Sequence, residues 1–249
     1  MNQNQFIFGE SLSEELMKRI NLREIDKNAR EWFHPYYSFL NLCKEIGTSG
    51  HDLLKASKKY RESYAISILA LSLQESTDRD WWLYIPDNDP PDGYIATFQK
   101  EIIKDNTQIK GKIREIEVVE HRSEDKTLLN RLKNKLLDTS YNPDTVLVCL
   151  MLVSGIYNFE KLSNDLKKIS PKLKHIFLII HGVQIFSDIS NATFFKLTAV
   201  QLLPEFASVT FDIRNQYKDF KKKFDIGREY RLIIDNEIHY GTKNLKFKK

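Results

Sequence analysis

The run Thr145–Val153 is apolar without interruption, and it constrains the fold more than any other stretch of the chain. A strand that alternates apolar and polar residues has one wet face. One that does not alternate is buried on both faces, as in a sheet covered by helices. His175–Val183 reads as a second such strand, and between the two lies a short helical segment, Phe159–Ile169. Strand, helix and strand with short connections imply parallel pairing through a right-handed crossover.

Upstream of these runs the same alternation continues. Tyr60–Leu73 places Tyr64, Ile68 and Leu71 at helical spacing, with Ala65 and Leu69 beside them. Trp81–Ile85 reads as a strand, closed by the turn-forming Pro86–Pro91 segment. Asp92–Phe98 and Ile113–Glu120 read as two further strands. Lys126–Leu137 reads as a helix with Leu128, Leu129, Leu132 and Leu136 on its apolar side. Phe195–Leu202 alternates once more.

These elements imply one compact α/β domain. The expected divisions are a helical N-terminal addition over 1–57, a core over 58–213 and a basic extension over 214–249 packed on that core. At 41% hydrophobic and 12% aromatic residues, 249 positions suffice for a sizeable core. The aromatic group Trp32, Phe33, Tyr36, Tyr37 and Phe39 is expected to be a packing surface. No stretch approaches the roughly 18 apolar residues of a membrane span, and Met1–Gln5 lacks the blocks of a signal peptide. Cys43 and Cys149 supply no disulfide framework, and Cys149 sits within an apolar run. The expectation is a cytoplasmic protein without a membrane partner. Net charge is +4, yet Tyr217–Lys249 holds ten Lys/Arg against five Asp/Glu. Such a basic end suits phosphate contact, with Lys221, Lys222 and Lys223 as its densest cluster.

Acidic residues mark the candidate chemistry. Asp92 stands at the mouth of one strand, after Pro91, and Glu117 lies in the middle of the next. Alternate residues of a strand share a face, so Glu115, Glu117, Val119 and His121 point together. Two carboxylates on neighbouring strands can share a hard divalent cation, which takes oxygen ligands and keeps several waters. Calcium-loop, zinc-ligand, phosphate-loop and dinucleotide-binding patterns are all missing from the chain.

Pro91-Asp92 and the acidic strand, within the order helix, three-stranded meander, helix, strand, resemble the restriction-endonuclease-like PD-(D/E)xK nucleases. The resemblance covers about Lys58–Val153 and implies that fold, with a mixed central sheet. It implies Asp92 and Glu117 as ligands of Mg²⁺ or Mn²⁺, with Glu115 assisting or substituting. It also implies Glu62, opening the first core helix, as an accessory acid. Where the family carries Lys, two residues after the strand acid, this chain has Val119. Some members carry the basic residue on the following helix, which here offers Arg131, Lys133 and Lys135. Lys133 and Lys135 stand about 200° apart on that helix, whereas Arg131 and Lys135 share a face.

What the resemblance implies is a metal-dependent endonuclease hydrolysing phosphodiester bonds, in DNA, in a bacterial restriction or anti-phage defence setting. Lys135 or Lys133 would orient water, while His121, Arg131 and Lys221–Lys223 would contact nucleic acid. No sequence-reading module is recognisable, so a partner subunit or a homodimer is expected to select the target. Two other readings stay open. One is a catalytically inactive nuclease-fold scaffold in a nucleic-acid-processing or defence complex. The other is a ribonuclease-type toxin using His121.

Overall fold

The computed structural model of the chain describes residues 34–46, 50–77, 79, 81–86, 91–103, 106–125, 127–138, 140–181, 196–212, 230–234 and 237–241. In chain order these form α1 (Pro35–Ile46), α2 (Gly50–Lys55), α3 (Lys58–Thr77), β1 (Trp82–Tyr84), β2 (Gly93–Ile103), β3 (Asn106–His121) and α4 (Leu128–Leu136). There follow β4 (Val146–Met151), α5 (Phe159–Ile169), β5 (His175–His181), β6 (Lys196–Leu203), β7 (Ala207–Asp212), β8 (Tyr230–Ile234) and β9 (Glu237–Gly241).

Strands β1 to β7 make one mixed sheet in sequential order, and β8 and β9 pair as a separate antiparallel hairpin. The centre, β3-β4-β5, is parallel, and α4 and α5 supply its two crossovers. The flanking pairs are antiparallel. All six residues of β4 are buried, as its unbroken apolar run demands.

Alternation along the central strands divides the core in two. Ile116, Val118, Val148, Leu150, Phe177 and Ile179 pack beneath α1 and α3. Val119, Leu147, Cys149, Ile176 and Leu178 pack with Leu128, Leu132 and Leu136 of α4 and Leu166 of α5. The result is three layers, helices on both faces of the sheet. Tyr36 and Phe39 belong to the first cluster, as a packing surface should, while Trp32 and Phe33 lie outside the described residues. Cys149 is a buried hydrophobe, its thiol pushed up to about 12 by burial.

Helix α3 is enclosed nearly all round, which explains why it carries hydroxyls rather than charges through its middle. Ser63, Ser67 and Ser72 each donate to the carbonyl four residues back, at 2.9, 2.7 and 2.8 Å. Back-bonding of this kind satisfies a buried hydroxyl without a tertiary partner. Ser38 of α1 meets Ser67 at 2.9 Å, seating one helix on the other.

The strand bounds read from the sequence, Asp92–Phe98 and Ile113–Glu120, are corrected. Strands β2 and β3 run on as an antiparallel ladder to Ile103↔Asn106, where polar Gln99–Lys112 reads as a loop. Ladder hydrogen bonds need no apolar face, so periodicity is blind to such an extension. β3 is interior to the sheet, with β2 paired to it up to Ile116 and β4 from Ile116 onward. Among the described residues no helix is long and apolar enough to cross a membrane.

Candidate active site

Strand β2 leaves β3 at the Gly93↔Ile116 pair, while β3 continues to His121 beside β4 alone. The fork would leave the Val118 N–H without a ladder partner. The Asp92 carboxylate takes that place, with Oδ2 accepting from Val118 N at 2.6 Å. Asp92 is thus fixed one residue from Glu117.

Gly93 brings α3 to the same point. A Cβ there would stand 2.6 Å from Ile66 Cδ1 and 3.2 Å from the Tyr84 carbonyl, so the glycine leaves room for the Ile66 side chain of α3 against β2. Glu62 lies one helical turn before Ile66, on the same side of α3, and is buried at 2% exposure. Its Oε1 pairs with Lys58 Nζ at 3.0 Å.

Burial pushes the Asp92 carboxyl up to about 7, against the Val118 N–H, and the charges of Glu117 and Glu62 push the same way. Desolvation and nearby like charge both favour the protonated form of Asp92. Glu120, two residues beyond Val118, shows the contrast. Burial would raise it, but Arg61 Nε at 2.6 Å and Arg122 Nη2 at 2.5 Å hold it below the usual carboxylate range.

On the other face, α4 supplies the cation. Lys135 Nζ donates to Glu117 Oε1 at 2.8 Å and to the Tyr141 hydroxyl at 2.8 Å. The Tyr141 hydroxyl in turn donates to the same Oε1 at 2.8 Å. Burial works against the ammonium, but the bonds to Glu117 and Tyr141 outweigh it and hold Lys135 above the ordinary lysine value. Val119 lies under the leucine stripe of α4. A lysine at that position would be sealed in the core, and the amine reaches Glu117 from the helix instead.

The remaining candidates disperse. Glu115 is half-buried on the face of Glu117 and accepts from Thr145 Oγ1 at 3.3 Å, beside the paired part of β2. Arg131 shares the Lys135 side of α4, but its Nε is bound to the Glu120 carbonyl at 2.9 Å. Its side chain also lines a cleft of about 400 Å³ with Asp125, Asn130 and Asn134. Lys133 is exposed, on the opposite side of α4 from Lys135. His121 is buried at the strand end, with Nδ1 3.3 Å from Asp125 Oδ2 and its ring edge-on to Tyr157. Lys221, Lys222 and Lys223 lie outside the described residues. The sequence singles out neither Tyr141 nor Arg61, for neither position carries a local signal and both partners come from distant elements.

The donor set is all oxygen, which suits a hard divalent cation such as Mg²⁺. Among the described residues no cluster of three or more His, Cys, Asp and Glu side chains is set to hold a metal ion. Asp92 and Glu117 could at most contribute one or two oxygen ligands, the number that Mg²⁺ commonly takes from a protein. Comparison of the chain with protein-family models, curated proteins and solved structures finds no match in any of the three.

Proposed function

We propose that the chain is a metal-dependent nuclease with a divergent restriction-endonuclease-like core, acting on phosphodiester bonds in DNA. The observation that carries this reading is the fork itself. Asp92 is bound to the Val118 N–H beside Glu117 where β2 and β3 part, the charges of Glu117 and of Glu62 on the preceding helix act on it, and Lys135 reaches Glu117 from the following helix. A buried aspartate crowded by like charge beside a fixed ammonium is costly to build into a purely structural junction, and a perturbed carboxyl of this kind is a mark of functional sites.

Asp92 and Glu117 would hold Mg²⁺ or Mn²⁺. The ion would supply Lewis-acid stabilisation of the phosphoryl oxygens and acidify a water. Lys135, held at Glu117, would place a positive charge where negative charge develops during attack. Glu62 would add negative potential that favours the cation. Arg122, half-exposed on the Arg61–Glu120 cluster, would face the nucleic-acid backbone. Target choice would come from a partner subunit or a second copy, in a restriction or anti-phage defence setting.

The test is incubation of the purified chain with supercoiled DNA, linear DNA and RNA, in Mg²⁺, Mn²⁺ or chelator, beside an Asp92→Ala variant. Metal-dependent cleavage of DNA, lowered by orders of magnitude in the variant, is the expected result. A variant as fast as its parent would place the chemistry elsewhere, and activity surviving chelator would point to His121. One observation favours a second reading, an inactive scaffold: Glu117 Oε1 is already neutralised by Lys135 and Tyr141. That reading expects binding of nucleic acid with no cleavage in any metal.

A further inference from the structure

We propose that Tyr141 is the positioning residue of this centre, its hydroxyl locking Lys135 and Glu117 into a single unit. The inference rests on the nuclease reading above and names a residue that reading does not require.

The three groups close a triangle, with Lys135 Nζ, Tyr141 Oη and Glu117 Oε1 each 2.8 Å from the other two. Only a group that accepts and donates at once can close it. The phenol oxygen accepts from the ammonium while its O–H donates to the carboxylate. Both contacts fall on Oε1, and among the described residues no hydrogen bond falls on Oε2, which leaves that oxygen for a cation.

The ion pair does not hold itself. Lys135 is one-third exposed, at 33%. A lysine on its flexible four-carbon stem gains little from a pair near solvent. Tyr141 is the stiffer partner, packed against the cluster that contains Leu132 and Leu136. The α4–β4 turn fixes its backbone from both sides. Asp138 Oδ1 accepts from Ser140 N at 2.9 Å and from Ser140 Oγ at 2.6 Å. Asn142 Oδ1 accepts from Asp144 N at 3.1 Å. Aspartate and asparagine commonly shape turns in this way, and here they present a rigid aromatic hydroxyl to a mobile amine.

Two readouts on the full chain test the proposal. The first uses metal-free protein carrying ¹⁵N-lysine. The parent should show an ammonium resonance protected from solvent exchange that is assigned to Lys135 by its loss in Lys135→Ala, and that resonance should be missing from Tyr141→Phe as well. The second is steady-state DNA cleavage by the parent, the two single variants and the double variant. Tyr141→Phe should lower kcat about 10-fold or more with KM unchanged, the scale of lost support around a metal ligand. It should cost nothing further in the Lys135→Ala background, because both variants break one unit. A Lys135 resonance that stays protected in Tyr141→Phe, or is unprotected in the parent, overturns the proposal. So does an unchanged kcat, or a loss of equal size with and without Lys135. A parent that cuts nothing in any metal removes the nuclease reading and this proposal together. A parent whose cleavage depends on Asp92, combined with any of the overturning results, removes the proposal alone.

Discussion

Burial and like charge act on Asp92 in the same direction, and the consequence is measurable without substrate. A carboxyl whose pKa stands at about 7 in the folded chain, against 3.8 for an ordinary aspartate, binds its proton more tightly when folded. Between those values the native state carries more protons than the unfolded one, so stability falls as pH rises through about 7. Thermal unfolding in chelator should therefore show a Tm that declines from pH 5 to pH 8. Asp92→Asn keeps an acceptor for the Val118 N–H and removes the charge. It should flatten the decline and raise Tm above pH 7. A parent Tm that climbs over this range would mean that the fork carboxylates are not crowded. A divalent ion should reverse the trend, because its binding displaces the proton and its affinity grows with pH.

The elements differ in how plainly the sequence announces them. Phe159–Ile169 is a helix with the same bounds in sequence and structure, and the apolar run is legible as β4 because a strand buried on both faces leaves no alternative. Helical geometry alone separates Lys135 from Lys133. The long β2–β3 hairpin is not legible, since its polar ladder is made by backbone. Tyr141 is invisible for another reason: its role depends on a turn that carries it to a strand residue 24 positions away, and nothing local encodes that meeting. Also unread is Arg114, which is buried on the α3 face of β3 and pairs with Asp144 Oδ1 at 3.3 Å. Burial and the Arg114 charge push neighbouring His175 down to about 4. Asp144→Ala would strip the carboxylate from a buried guanidinium and should cost about 3–5 kcal/mol. Urea denaturation should show the midpoint falling with an unchanged m value. Leu132→Ala, which hollows the cluster beneath α4, should cost about 2–5 kcal/mol by the same measurement. Losses under about 0.5 kcal/mol at both positions would contradict the packing described for these elements.

For the whole molecule, the uneven charge and the fork make separate demands. Ten of the 38 Lys/Arg fall within Tyr217–Lys249, and each phosphate they neutralised would release condensed counterion. Replacing Lys221, Lys222 and Lys223 with Gln should lower the salt dependence of DNA binding by up to about three units of slope, leaving the cleavage positions unchanged. An unaltered slope would assign the cluster to solvent and leave phosphate contact to the residues around Arg122 and Arg131. The layered core, by contrast, has one evident output, the convergence of α3, the Asp92 turn, β3 and α4 at the fork. The most direct test of that convergence is anomalous diffraction at the manganese edge from crystals of the chain soaked in MnCl₂. The account predicts a peak between the carboxylates of Asp92 and Glu117, lost in Asp92→Ala crystals. An empty fork with manganese bound elsewhere, or a peak that survives the substitution, would contradict it.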